Sequence, residues 1–471
     1  MVIRPKLRLL DDNQVKMVVE QAFDILENLG IIIENQEALT LLKNEGITAD
    51  SNDRVLFPSD LVHKAIKNAP NTIYLYNRVG DLAVRYEDDY ICFDPGSAAI
   101  NILDSNTNEI RKPVTEDYIK YAKLVEQLKH IHAQSTAFIC SDVPKENEDS
   151  YRLYLSLLHC SKPVITGTFR KESFEKMKDM LVAVRGDEKI LREKPLAVFD
   201  ACPSPPLRWS DLTCQSVIDA AKLGIPSQLI SMPMTGANAP ASIFGAIVQH
   251  CAETLSGIAI CQLVSPGSPI IWGGSPSAFD MRNGTTPMGA IGTMMIDVAY
   301  SQVGKHLGFP VHTYMGLSDS KVLDAQAGLE TGIGAILAAL GGINMISGPG
   351  MLDFESCFSL EKLVIDNEIC GMALRLIEGI KSHEEISTKE LLAEYEESKQ
   401  LLSHPTTRKI YRKEFYFPSL VIDRTTRDVW AKQRTTATDR AHNLIQDLIQ
   451  KESSITLDPE VELTLKKIIE L

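Results

Sequence analysis

From Ile91 to about residue 380 the chain repeats one unit eight times, a short apolar run, then a loop of Gly, Pro and polar residues, then an amphipathic stretch of helix length. The runs are Ile91–Phe93, Ile131–Ile139, Pro163–Gly167, Leu196–Asp200, Gln228–Ser231, Ile270–Gly274, Val311–Tyr314 and Asn344–Ser347. The helical stretches that follow cover 115–128, 147–160, 171–185, 211–223, 240–264, 288–307, 324–340 and 359–378. Alternation of strand and helix implies parallel strands, because a parallel connection needs a crossover that a helix supplies. Eight units are the number that closes a (β/α)8 barrel. A doubly wound open sheet is the competing geometry, and it would present G-x-G-x-x-G after its first strand, where this chain has F-D-P-G-S-A-A. The fold class expected is therefore α/β, a TIM-type barrel over residues 91–384. An α+β extension precedes it (1–90), with helices at about 13–29 and 36–45 and strands near Thr72–Tyr76 and Leu82–Tyr86. A helical extension follows it (385–471), interrupted by the extended piece Phe415–Pro418. No low-complexity linker separates the parts, so both extensions are expected to pack on the barrel.

With 471 residues, 44% of them hydrophobic, the chain has ample material for a large core. A formal charge of −14 speaks against nucleic acid or an anionic membrane as partner. Nine scattered cysteines without a C-x-x-C pair read as reduced thiols, which points to the cytoplasm, as does an N-terminus without a continuous apolar stretch. The ten histidines stand singly and H-E-x-x-H is absent, so no metal site is expected; G-x-S-x-G is absent too, which disfavours a serine hydrolase.

Barrel active sites lie at the carboxyl ends of strands, and there the sequence concentrates aromatic and basic residues. The fourth run leads into F-D-A-C-P-S-P-P-L-R-W-S, whose prolines stiffen the loop carrying Arg208 and Trp209. The sixth holds Trp272 and leads to Phe279 and Arg282. The seventh, P-V-H-T-Y-M-G-L-S-D-S-K, puts His312 and Tyr314 on one strand face and breaks at Gly316 into a polar turn around Leu317. The eighth ends in S-G-P-G-M-L-D-F-E-S-C-F, with Phe354. Aromatic faces with a few basic heads suit a quaternary ammonium that also carries a carboxylate, the rings attracting the cation and Arg or His the anion. Each residue also has a plainer reading. Trp272 suits core packing, His312 a buried strand histidine, Arg208 an ion pair with a carboxylate such as Asp211, and Asp319 and Lys321 a brace for their own loop.

Several stretches together resemble the trimethylamine methyltransferase family of corrinoid-dependent enzymes. They are F-D-A-C-P-S-P-P-L (199–207), P-M-T-G-A-N-A-P (233–240), H-C-A-E-T-L-S-G (250–257), F-D-M-R-N-G-T-T-P-M-G (279–289), S-D-S-K-V-L-D-A-Q-A-G (318–328), and G-P-G-M-L-D-F with L-V-I-D-N-E-I near 348–369. The best-known members carry pyrrolysine where this chain has Leu317, so the resemblance implies a non-pyrrolysine member acting on quaternary amines. It implies methyl transfer from glycine betaine, proline betaine, γ-butyrobetaine or carnitine to the Co(I) of a corrinoid carried by a separate protein. D-x-H-x-x-G, the usual signature of the corrinoid carrier, is missing here. Under this reading Arg208, Trp209, Trp272, Phe279, Arg282, His312, Tyr314, Leu317 and Phe354 are the substrate-side candidates. Asp94, Asn238, Ser318, Asp319 and Lys321 are the candidates facing the cofactor. No permanently bound cofactor and no metal are expected, and a homo-oligomer is compatible with the reading. The alternative is a barrel that binds or senses quaternary amines without catalysis.

Overall fold

The computed structural model describes residues 3–104, 107–383, 387–451, 453 and 455–469. The expected boundary at 384/385 lies outside the described residues. All eight expected strands form: β1 (Cys92–Asp94), β2 (Gln134–Ser135), β3 (Val164–Gly167), β4 (Ala197–Ala201), β5 (Ser227–Ser231), β6 (Ile270–Gly274), β7 (His312–Thr313) and β8 (Met345–Ser347). The helix after each also forms. These are α1 (Thr115–Gln127), α2 (Glu148–His159), α3 (Lys171–Arg185), α4 (Asp211–Leu223), α5 (Ile243–Val264), α6 (Ile291–His306), α7 (Ala325–Gly341) and α8 (Leu360–Ile377). Ser210 caps α4 by accepting from Thr213 N–H, as its position before the apolar run predicts.

Every pairing among the eight strands is parallel and follows chain order. β2 to β6 form one five-stranded sheet, and β7, β8 and β1 form a second. The ladders do not run on as one continuous cylinder. A single parallel bridge, Trp272 to Val311, with Trp272 N–H donating to Pro310 O at 2.9 Å, joins β6 to β7. On the other side His132 N–H donates to Phe93 O at 2.7 Å, linking β1 to the approach of β2. The gaps have local causes. Pro310 has no N–H to give, and Gly316 turns the chain at φ 75°, so β7 keeps only two residues.

Loops supply strands that the sequence reading missed. Met351–Leu352 and Cys357–Phe358 form an antiparallel hairpin after β8, which pairs with Asn101–Asp104 and, beyond it, Glu109–Arg111. Arg208–Trp209 pairs in parallel with Ile31–Ile33 of the N-terminal segment. The N-terminal helix Asp12–Asp24 continues through a wider turn, Ile25–Leu29, to Gly30. Residues from Leu10 to Ile469 enter one hydrophobic core, so both extensions share it with the strands and helices between them. Helix α5 is apolar on all sides because it runs through that core, with its most apolar window 83% buried.

Candidate functional site

One cavity of about 290 Å³ opens at the carboxyl ends of the strands. Its wall is built from Thr136 just past β2, Gly167 ending β3, Asp200 near the end of β4, Met232 after β5, Ser275 after β6 and Tyr314 after β7. Arg152 of α2, Phe169 and Glu355 complete it. Strand ends converge there because parallel strands all finish on the same side, where backbone groups and side chains are left free for a ligand.

Three titratable side chains, one guanidinium and two carboxyls, define its chemistry. The Arg152 guanidinium is buried, donates from Nη1 to Thr136 O at 2.7 Å, and lies 4.5 Å from the centre of the Phe169 ring, while its Nε has no partner. Asp200 has an oxygen, Oδ1, without a hydrogen-bond partner, and so has Glu355 at Oε1. Burial pushes the Asp200 carboxyl up to about 8, opposed by Arg152. Burial, with Asp297, Asp319 and Asp200 adding repulsion, pushes Glu355 well above the usual carboxylate range. Two carboxyls held largely as neutral acids are poised to ionise when a cation enters, because the cation's field reverses the penalty that burial imposes.

The chain spends conformational strain to place Glu355. Asp353, Phe354 and Glu355 stand consecutively at φ 50°, 55° and 64°, between the strands of the 351–358 hairpin. Left-handed backbone costs an L-residue roughly 1–2 kcal/mol, and such strain concentrates where a side chain must be aimed. Two glycines lie beside the acids, and Gly96 is required by the close approach of Met351. A Cβ on Gly167 would lie 3.4 Å from the Asp200 Cβ, and one on Gly96 would press into Met351 at 2.4 Å and reach 3.5 Å from Glu355 Oε1.

Beneath the cavity runs a buried polar chain. Tyr314 meets His312 edge-on at 4.9 Å; His312 Nε2 lies 3.1 Å from Ser347 Oγ, and Ser347 donates to Asp94 Oδ1 at 2.6 Å. Burial lowers His312 to about 3, so the ring is neutral near neutral pH. Burial raises Asp94 and Tyr314 well above their ordinary values. His312 and Asp94 thus stand behind the cavity wall and Tyr314 in it.

Other expected residues sit elsewhere. Arg208 is drawn off by the strand pairing with Ile31–Ile33 and ends in an ion pair with Glu34 at 2.5 Å; it does not line the cavity. Trp209 is fully buried and donates from Nε1 to Ser256 at 2.9 Å. Trp272 faces helix α6, stacks on Phe309 and donates to Tyr300 O; a Cβ on Gly304 would come within 2.6 Å of its ring. Arg282 is 88% exposed and paired with Asp280. Phe279 is half-buried in the loop after β6, and Leu317 is core; neither lines the cavity. Phe354 carries the Lys321 ammonium 3.8 Å over its ring.

Four of the cofactor-side candidates, Asn238, Ser318, Asp319 and Lys321, make hydrogen bonds within and between the loops. Asn238 Oδ1 accepts from Met234 N–H at 2.6 Å. Ser318 donates to Glu330 at 2.6 Å, and Asp319 accepts from Met288 and Gly289 N–H, both at 2.9 Å. Lys321 donates to Asp319 O and faces Asp353. Arg152, Phe169, Asp200 and Glu355, which line the cavity, are not among the candidates the sequence offers. Asp200 and Glu355 lay in quoted strand-end motifs, and an acid within an apolar strand end was the available signal for Asp200. Nothing in the sequence distinguishes Arg152 from an ordinary helix arginine.

An α/β protein whose parallel strands converge on a small-molecule cavity belongs to a class that binds compact substrates at strand ends. Within that class, the sequence model of the trimethylamine methyltransferase family (MTTB) matches residues 2–470, and the chain belongs to that family. It is 30% identical to the glycine betaine methyltransferase of Desulfitobacterium hafniense (strain Y51), over 99% of this chain and 97% of that one. It is also 30% identical to trimethylamine methyltransferase MttB of Methanosarcina thermophila, over 97% and 95%. In fold it resembles the crystal structure of the Methanosarcina barkeri monomethylamine methyltransferase (MtmB), with a TM-score of 0.51 and 12% identity over 94% of this chain and 89% of that one. The hydroxylamine MtmB complex gives 0.53.

Proposed function

We propose that this methyltransferase takes a methyl group from a quaternary amine bearing a carboxylate, a betaine, and passes it to the Co(I) corrinoid of a separate protein in the cytoplasm. The observation that carries this reading is the lining of one cavity, a buried guanidinium at Arg152 together with two carboxyls that each have an oxygen without a partner and the rings of Tyr314 and Phe169. The ammonium head is placed between Asp200, Glu355 and the rings, and the carboxylate at Arg152, which takes the role expected of Arg208. The cavity's 290 Å³ suits a small amine and is far too small to enclose a corrinoid, which fits an acceptor approaching at the mouth. Leu317 supports a quaternary substrate. A quaternary nitrogen already carries full charge and departs as a neutral amine, keeping the electron pair of the broken C–N bond, so no electrophilic side chain and no proton are required. The corrinoid supplies the cobalt nucleophile; this chain's task is to position the methyl group and exclude water.

The same reading takes the eight strands as a (β/α)8 barrel, divided at 90 and 384 from its two extensions. Chain order around the sheets, the two joining contacts and the likeness to MtmB support it. Purified protein with free cob(I)alamin and a panel of glycine betaine, proline betaine, γ-butyrobetaine, carnitine, choline and trimethylamine tests the function. The visible spectrum is expected to report methylation with a carboxylated quaternary amine and none with trimethylamine. Methylation from trimethylamine alone would overturn the proposal.

A further inference from the structure

Three consecutive residues with left-handed backbone, Asp353, Phe354 and Glu355, turn the hairpin after β8 so that Glu355 lines the cavity. Such backbone persists only where its surroundings over-determine it. The Glu355 carboxyl does not supply that hold at Oε1, which has no hydrogen-bond partner. The hold comes from the segment after β7, which runs against the hairpin. Asp353 N–H donates to Ser320 O at 2.9 Å, Ser318 N–H donates to Met351 O at 3.2 Å, and a Cβ on Gly348 would collide with Met315 O. One side chain closes this contact. The Lys321 ammonium donates to Asp319 O at 2.7 Å, lies 3.6 Å from Asp353 Oδ1 and stands 3.8 Å over the Phe354 ring. It grips two of the three strained residues while anchored on the backbone of its own turn.

We propose that Lys321 is the positioning residue for Glu355, clamping residues 353–355 so that the carboxyl stays in the cavity; this rests on the reading that places the substrate's ammonium at Asp200 and Glu355. Phe354, held on the Lys321 ammonium, stays out of the cavity wall, and its neighbour Glu355 enters it. Releasing Phe354 frees the turn to relax toward ordinary backbone, and relaxation there re-aims the next side chain. Asp353 is a preset partner for the clamp, because its Oδ2 accepts from Ser356 Oγ at 2.7 Å. The Lys321 side chain is 53% exposed, and an ion pair so exposed adds little to global stability. Its effect is therefore expected at Glu355 and not on the fold, which separates positioning from a purely structural role.

Hydrogen exchange and calorimetric titration of the full chain are the test, with Lys321→Met, which removes the charge and keeps the stem, and Lys321→Arg, which restores it. Without ligand, the Asp353 and Ser356 amides should exchange about threefold faster or more in Lys321→Met, while strands β2 to β6 keep wild-type rates. Glycine betaine and choline should both bind Lys321→Met roughly three- to tenfold more weakly, because both carry the ammonium that Glu355 meets. Lys321→Arg should recover most of that affinity, and thermal unfolding of both variants should stay near wild type. In a Glu355→Ala background, Lys321→Met should weaken neither ligand further, since a residue that acts through Glu355 then has nothing to position. Unchanged exchange at Asp353 and Ser356, or an equal loss of affinity with and without the Glu355 carboxyl, would overturn the proposal. A wild type that binds neither glycine betaine nor choline would remove the substrate reading instead, and the exchange comparison would still decide the clamp.

Discussion

Two polar regions stand close together at the strand ends, and they differ in how fully their atoms are partnered. In the turn after β7, Ser318 bonds Glu330, Asp319 takes two backbone N–H groups and Lys321 is held by Asp319 O. Across the cavity, Asp200 Oδ1, Glu355 Oε1 and Arg152 Nε have none. Buried polar groups are almost always satisfied, because an unmet donor or acceptor costs about 1–3 kcal/mol. A turn that meets its demands internally is scaffold, and a wall that leaves several unmet is the better candidate for a site. Atoms without a partner occur elsewhere too, at Asp297, Gln228 and Tyr86 for example, so it is the convergence of three of them on one cavity, not their number, that singles out this wall.

The sharpest way to break that contrast is through stability against pH. The folded Asp200 carboxyl titrates at about 8 against an ordinary 3.8. A folded value raised above the unfolded one contributes stability that is fully present below the unfolded value and is lost as pH rises through the folded one. Unliganded wild type should therefore lose stability relative to Asp200→Asn between pH 4 and 8, on the order of several kcal/mol, read by denaturant midpoints across that range. A flat difference would remove the burial penalty from the account.

Next in size is Arg152→Lys, which keeps charge and loses the fork. Affinity for betaine is expected to fall by about 1.5–3 kcal/mol, the range for a charge-assisted hydrogen bond, with choline, which lacks the carboxylate, little changed. Equal losses for both ligands in calorimetric titration would show that Arg152 only supports the Phe169 loop. Asp319→Ala should behave in the opposite way. It frees the N–H groups of Met288 and Gly289, so thermal unfolding should show a loss of about 2 kcal/mol while the folded protein binds betaine as before. Smallest is Arg208→Ala, which removes a half-exposed pair with Glu34. Its stability should change by less than about 1 kcal/mol and its betaine affinity not at all; a tenfold weaker affinity would return Arg208 to the substrate.

Much of the scaffold was legible because hydrophobic periodicity reports burial directly. Each of the eight strand runs became a strand, and α4 begins where Ser210 indicates. What the sequence hid depends on contacts across long separations. Arg208 and Trp209 looked like mouth residues because their prolines stiffen the loop, yet Ile31–Ile33, far away in the chain, captures that loop as a strand. Trp272 looked equally suited to ligand or core, and Gly304 on α6 settles it by leaving a slot for the ring. Glu355 lies in the loop after the eighth run, and only the 351–358 hairpin turns it inward. Arg152 is the plainest case, since an arginine on an amphipathic helix is usually solvated and this one is sealed against Thr136 and Phe169.

Under the proposed function, the ammonium head of the substrate meets carboxyls which burial keeps protonated until it arrives. Calorimetric titration of the wild type near neutral pH, with glycine betaine as the proposed substrate, in buffers of different ionisation enthalpy, measures this directly. Binding is expected to release protons, approaching one per site, as the cation draws Asp200 into its charged form, and Asp200→Asn is expected to bind more weakly and release fewer. Binding without proton release, and with equal affinity in Asp200→Asn, would contradict the account.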